Sequence, residues 1–536
     1  MIKLKRLFAF ALAAILSLSA AGASTLPLPS SEATTSITAR ELKMHLSFLA
    51  SDELGGRYTF SPSLQVAARY LASQLESFGY RGGARDGSFF QKVPLVYSSV
   101  SKSQSAVELM SGGQALRFKY GESFVSEPPT NISFSGDLVF IGYGISSPKN
   151  GHDDFAEVDL KGKIAVVVTG VPESLRRTRL AMEERWETVT AARGAAGVIV
   201  IPASQQLMVW NQLRNYYDNQ QELGLPPKKT AAGSPVQAIL AGPDFARAIA
   251  RAMGQPESFL ISPGGKPLKA QMINASAKVN ITVESKDAPL TQNVIGVLEG
   301  SDPKLKDEYV VISAHYDHLK TSDTGEVYNG ADDDGSGTVA ILEIAQAFAT
   351  GPRSRRSILV IFHTAEELGL FGSQYVADYE PVVPVEKMVT NLNIDMIGRS
   401  RGENDKDARD RFLTDKDSIY VIGSDKLSTE LHGINEQTNA DTARMRFDYL
   451  YNDDRHPERF YYRSDHYNYA KHGVPVIFYF TGVHRDYHRA TDDVEKIDFE
   501  KMERISRMIF ATGWRVANAD NRPVVDKKPA SAGSVR

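Results

Sequence analysis

Residues 309–315 read YVVISAH, residues 336–349 read SGTVAILEIAQAFA, and residues 357–364 read SILVIFHT. The outer two are strand-length runs rich in β-branched residues, with no polar alternation. The middle one carries apolar residues at the threes and fours of a helix. Strand, helix, strand, with both strands apolar on either face, is the repeating unit of a parallel sheet covered on both sides. The same rhythm continues outward. NVIGVLEG (293–300), VTNLNID (389–395), IYVIG (419–423) and VPVIFYF (474–480) are further strands, and helical patterns fall at 368–379, 425–437 and 497–515. The expected fold class is therefore α/β, a mostly parallel central sheet flanked by helices, over residues 286–517.

Upstream the texture differs. From Thr38 a helical face carries Leu42, His45, Leu46, Phe48 and Leu49; a loop, Asp52-Glu53-Leu54-Gly55-Gly56-Arg57, follows. A second helix carries Leu64, Val66, Ala67, Tyr70, Leu71, Leu75 and Phe78 on the face expected to be buried and stops near Gly79. Residues 38–94 are thus read as a helical preface to the α/β domain. Residues 95–285 are β-rich, with DLVFIGYG (137–144), GKIAVVVTG (162–170) and GVIVIPA (197–203), and hold no dense His, Asp and Glu cluster. They are read as an inserted non-catalytic domain. A Ser-, Thr- and Pro-rich lead-in (24–37) and a tail (518–536) are expected to be flexible and disordered, respectively.

The amino terminus places Lys3, Lys5 and Arg6 before an apolar run from Leu7 to Leu18 and then Ala21-Gly22-Ala23. That order is a secretory signal peptide, residues 1–23, and the run is shorter than the roughly 20 residues a membrane span needs. The chain is expected to be exported, to a bacterial periplasm or the medium, and free of the membrane after signal removal. It contains no cysteine, which excludes disulfides, thiol nucleophiles and cysteine metal sites. A formal net charge of −4 gives no basic face for nucleic acid.

Five segments at or after the strand ends carry metal-capable side chains. They are His315-Tyr316-Asp317, the acidic turn GADDDGSG (330–337), Glu366-Glu367, Asp395 and Tyr487-His488. Each alone is ordinary: a lone histidine is more often structural, and an acidic turn more often solvated. Together they lie at one edge of one sheet, the carboxyl edge, where α/β proteins bind ligands. Two nearby dications need a bridging carboxylate, an imidazole and a further carboxylate each, and a free carboxylate to take a proton from water. The five segments supply that set. His363 precedes Glu366-Glu367, but the second histidine of an inverted zinc motif is absent, so His363 is read as packing.

In the order HYD, GADDDGSG, AEELGLFGS, NIDMIG and YHRATDD, the chain resembles the M28 family of zinc peptidases. The resemblance implies two zinc ions per chain and a peptide substrate. It implies Asp332 as the bridging carboxylate, followed by a cis peptide bond to Asp333. His315 and Asp395 would complete one zinc site, and Glu367 and His488 the other. Glu366 would be the general base and Asp317 the acid that orients a ligand imidazole. Residues 95–285 resemble a protease-associated (PA) domain, through GYGI, DLKGKIAVV and ARGAAGVIVI.

The resemblance points to an aminopeptidase. Other activities stay open on the same scaffold: a carboxypeptidase or dipeptidase, a glutaminyl cyclase, or a receptor without catalysis. Met396, and the group Tyr461, Tyr462, Arg463, Asp465 and His466, are read as either core or substrate contacts.

Overall fold

The computed structural model describes residues 26–528 apart from 128–129, 203–209, 219, 227–236, 261–264 and 266–267. The signal peptide read from the sequence lies outside the described residues. The described chain divides into two compact units: one ends at Val93 and resumes at Pro289, the other is Pro94–Ala288.

In the first unit, helix α1 (Ala39–Leu49) starts at Thr38, whose hydroxyl accepts from the Glu41 amide. Helix α2 (Pro62–Ser77) starts at Ser61 in the same way, with proline at its first position. Strands β1 (Arg81–Gly82) and β2 (Phe90–Val93) lead to β3 (Thr291–Leu298) and β4 (Tyr309–His315). Helix α3 (Gly337–Ala349), strands β5 (Ser357–His363), β6 (Met388–Ile394) and β7 (Ser418–Ile422), helix α4 (Thr429–Asp441), strands β8 (Arg446–Asp448) and β9 (Val476–Phe480) and helix α5 (Phe499–Asn518) follow. The sheet order is β1-β3-β5-β4-β6-β9-β7-β8, with β2 also on β3.

The central run β5-β4-β6-β9 is parallel. The flanks are antiparallel where β3 meets β5 and where β7 meets β9. Along β4, Val310, Ile312 and Ala314 join a core with α1, α2, α3 and α5, while Val311 turns into a second core on the opposite face. Both faces are covered, which is why these strands carry no polar alternation.

The second unit has an eight-stranded sheet among the described residues, in the order Gln114–Lys119, Ala106–Ser111, Gln271–Ile281, Ile132–Phe140, Ile164–Val168, Gly197–Ile201, Ala238–Ala241 and Phe124–Val125. Ile132–Phe140, Ile164–Val168, Gly197–Ile201 and Ala238–Ala241 pair in parallel, and apolar clusters lie on both faces.

Two segments differ from the sequence reading. The lead-in contains a helix, Ser31–Ser36, capped by Ser30. The described part of the tail bonds to the loop before α4: the Asp526 amide donates to Leu427 O at 3.0 Å, and Asp526 Oδ1 accepts from the Thr429 amide at 3.1 Å. No helix among the described residues is long and apolar enough to cross a membrane.

Candidate metal centre

Four parallel strands deliver their next residues to one edge. His315 ends β4, Glu366 and Glu367 follow β5, Asp395 follows β6, and the loop after β9 reaches His488. Ala365, Met396 and His488 all have left-handed backbones (φ 55°, 56° and 56°). Such conformations cost non-glycine residues energy and concentrate at functional sites. Ala365 and Met396 each stand two residues past the end of their strand, β5 and β6, and His488 in the loop after β9.

The turn 331–336 brings two neighbouring acids into the centre. Asp333 Oδ1 lies 3.4 Å from His315 Nε2, and its Oδ2 lies 3.1 Å from His488 Nε2 and 3.7 Å from His318 Nδ1. Its carboxylate therefore stands between the two imidazoles. Asp332, read from the sequence as the bridge, points elsewhere. Its Oδ1 accepts from the Gly398 amide at 2.5 Å and its Oδ2 faces His484 Nε2 at 3.2 Å. The cis peptide bond joins Asp333 to Asp334 rather than Asp332 to Asp333. Asp492 Oδ2 accepts the amides of both Asp332 and Asp333 (2.9 and 3.1 Å), which holds the turn with Asp333 inward.

Two groups of convergent donors result: His315, Asp334 and Asp395, and His318, Asp333 and Glu367. Among the described residues no such group lies in Pro94–Ala288. Glu367 accepts from both flanking rings, Oε1 at 2.7 Å from His318 Nδ1 and Oε2 at 3.0 Å from His488 Nε2. Asp395 Oδ1 is 3.7 Å from His315 Nε2, and its Oδ2 accepts from Ser464 at 2.7 Å. Glu366 Oε2 is 3.8 Å from His315 Nε2. Asp317 lies behind His315, whose Nδ1 is 3.1 Å from the Asp317 carbonyl oxygen and 3.8 Å from its carboxylate. That carboxylate accepts from Thr59 Oγ1 (2.6 Å) and from the Glu366 amide (3.2 Å). The cluster thus gathers His315, Asp317, Glu366, Glu367, Asp395 and His488, and replaces Asp332 by Asp333.

Charge crowding governs the protonation of these groups. Burial pushes the Glu366 carboxyl well above the carboxylate range; His315 opposes this, while Glu367, Asp395 and Asp465 add to it. Burial raises Asp317 to about 6 against the pull of His315, and Asp465 to about 7. For His488, burial acts downward, but the contacts with Asp333 and Glu367 prevail and carry the ring up to about 10. The buried Asp334 Oδ2, in the group with His315 and Asp395, has no hydrogen-bond partner. A buried oxygen without a partner, in a cluster of imidazoles and carboxylates around a shared carboxylate, suits divalent ions such as zinc.

Sequence reasoning missed His318, Asp334, Thr59 and His484. His318 directly follows the HYD segment, and His484 sits four residues before His488, so adjacency was the available signal. Thr59 left none. Of the residues left open, Met396 and Arg463 line the cleft with Phe460, Phe478, Phe480 and Val483. His466 stacks on Phe478 (ring centres 4.7 Å apart), and the buried His363 meets the Tyr469 hydroxyl at 3.1 Å.

Residues 293–513, which hold every one of these groups except Thr59, match the model of Peptidase family M28. Aminopeptidase YwaD of Bacillus subtilis (strain 168) is 26% identical over 250 residues, 45% of this chain and 48% of that protein. A protein named "Probable zinc metalloprotease" from Pyricularia oryzae is 30% identical over 267 residues, 42% of this chain and 50% of that one. The chain spans about half the length of the curated relatives it matches. Among solved structures, an aminopeptidase from Aneurinibacillus sp. strain AM-1 aligns with a TM-score of 0.45 at 19% identity, over 93% of this chain and 98% of that one.

Proposed function

Since residues 293–513 match the model of peptidase family M28, we propose that this chain is an exported aminopeptidase that uses two zinc ions to hydrolyse the first peptide bond of its substrates. The observation that carries this reading is the Asp333 carboxylate, shared between the His315 group and the His318–His488–Glu367 group. One ion would be held by His315 and Asp395, the other by Glu367 and His488, with Asp333 between them. When bound, zinc acidifies a water and polarises the scissile carbonyl.

The chain's own residues do the rest. Glu366, unlike Glu367, makes no short contact to the His318 and His488 rings. Its carboxylate, 3.8 Å from His315 Nε2, takes a proton from the attacking water and passes it to the departing amine. The contact of Asp317 O with His315 Nδ1 leaves Nε2 facing the cleft. The carboxylates of the centre offer acceptors for a free α-amine, and Met396, Phe460, Phe478, Phe480 and Val483 offer an apolar wall for the first side chain. Residues 95–285 are assigned as a PA-type module, whose described residues hold no metal-capable cluster.

The test is release of p-nitroaniline from a panel of aminoacyl anilides by the mature chain, with amino-acetylated copies alongside. Release confined to free amines, abolished by a chelator and restored by zinc, is expected. Equal cleavage of acetylated substrates would overturn the aminopeptidase reading, and activity indifferent to the chelator would overturn the metal reading.

A further inference from the structure

The loop Asp52–Arg57, which the sequence reading left without a role, reaches the metal centre from behind. The Arg57 side chain is 1% exposed, and its fork of donors ends on four main-chain carbonyls. Nε donates to Tyr316 O (3.0 Å), Nη1 to Leu49 O (2.8 Å) and Asn329 O (2.6 Å), and Nη2 to Gly330 O (3.0 Å). Tyr316 follows His315 at the end of β4. Asn329 and Gly330 open the turn that carries Asp333 and Asp334. The main chain adds to this: the His318 amide donates to Arg57 O at 3.1 Å, and Thr59 two residues on holds Asp317.

The backbone is shaped for this insertion. Gly55, Gly56 and Arg57 are consecutively left-handed (φ 56°, 85° and 58°). A Cβ at Gly56 would stand 2.4 Å from Leu319 O and 2.6 Å from Tyr328 O, so only glycine allows the approach. A non-glycine residue held at positive φ is a strained choice that surrounding contacts must enforce.

The guanidinium makes no ion pair with a carboxylate among the described residues. The acids that feel its charge are Asp333, Asp334, Asp317 and Asp492, across the carbonyls it binds. Two effects on a bound cation follow, and they oppose each other. Arginine's positive charge repels the cation through Coulomb's law, while its hydrogen bonds fix the spacing of the ligands. If charge alone mattered, removing it would tighten metal binding; if positioning dominates, removal would loosen it.

We propose that Arg57 is a positioning residue of the metal centre: its buried guanidinium splints the β4 end bearing His315 to the turn bearing Asp333, and thereby sets the affinity of the centre for its ions. The inference rests on the metal-centre reading, and the two fail separately. A wild-type chain that binds no zinc defeats that reading, whereas wild-type affinity in the variants defeats this one.

The experiment measures zinc affinity by competition with a chromophoric chelator for the wild type, Arg57→Met and Arg57→Lys, with kcat and KM determined in parallel. Arg57→Met is expected to weaken zinc binding about 10- to 100-fold, as loss of ligand-orienting contacts does, and to lower kcat with KM within about threefold. Arg57→Lys keeps the charge but not the planar fork and is expected to fall between. Guanidinium ion added to Arg57→Ala is expected to restore part of the zinc affinity. Unchanged or tighter zinc binding in Arg57→Met would overturn the proposal. Should Arg57→Met fail to fold, zinc binding by Arg57→Lys decides, and native affinity there overturns it.

Discussion

Asp333 Oδ2 lies 3.1 Å from His488 Nε2, while Asp333 Oδ1 faces His315 Nε2 at 3.4 Å, so one carboxylate spans both halves of the centre. Its neighbour Asp332 is equally buried but points away, its Oδ1 accepting from the Gly398 amide and its Oδ2 facing His484 Nε2 at 3.2 Å. The two acids should therefore behave differently when neutralised. Asp333→Asn is expected to lower zinc affinity on the order of 100-fold or more and to abolish measurable turnover. Asp332→Asn keeps an acceptor for Gly398 and should retain both ions, with a stability cost of about 1–3 kcal/mol from the disturbed His484 contact. Metal analysis and urea unfolding of the two variants check this. Metal loss from Asp332→Asn with retention in Asp333→Asn would reverse the assignment.

Glu366 and Glu367 are adjacent, yet only Glu367 is gripped by His318 and His488 (2.7 and 3.0 Å). Glu366→Gln should accordingly keep the metal content of the wild type and lose about 100- to 10,000-fold in kcat, the range of a removed general base. A metal-depleted Glu366→Gln protein would mean that Glu366 is a ligand.

Asp333, Asp334, Asp395, Glu366 and Glu367 crowd into one cluster, and burial together with the neighbouring carboxylates drives Glu366 and Asp334 well above the carboxylate range. Ions that bind the folded chain offset that crowding and stabilise it by mass action, by about 4 kcal/mol at a thousandfold excess over Kd. Chelation should lower Tm by several degrees, reversibly on adding zinc. Superimposable melting curves with and without chelator would contradict the role given to the ions.

The strands of the central sheet were legible because both faces are buried. Val310, Val311 and Ile312 are all apolar for the same reason, and the first helix begins at Thr38, where the apolar helical pattern begins. Which aspartate of the turn enters the centre was not legible. Three consecutive aspartates in an irregular turn differ only in which way the backbone directs each one, and Asp492, far along the chain, holds that turn. The same applies to Arg57 and Thr59, whose partners Tyr316, Asn329 and Asp317 lie more than 250 residues downstream. Periodicity and spacing report what neighbours in sequence do together. They carry nothing about a hydrogen bond that the fold closes over such a distance.

His466 and His363 are both fully buried, and burial pulls each ring down to about 3. In the unfolded chain the same rings titrate at about 6.5. Above pH 6.5 both states hold them neutral and their contribution is complete. As pH falls below 6.5 the unfolded chain takes up protons that the folded chain refuses, so stability is lost until the pH nears 3. The slope is ~1.4 kcal/mol per pH unit for each ring. His466 packs its ring on Phe478, at 28° and 4.7 Å, so phenylalanine should fill the same space without the titration. Urea unfolding of Glu366→Gln and of Glu366→Gln with His466→Phe, both metal-stripped, at pH 7.0 down to 4.5 should give diverging stabilities. The double variant is expected to lose less with each pH unit, by up to the single-ring slope. Parallel curves would show that His466 is protonated in the folded chain, or that it is reached by water well before unfolding.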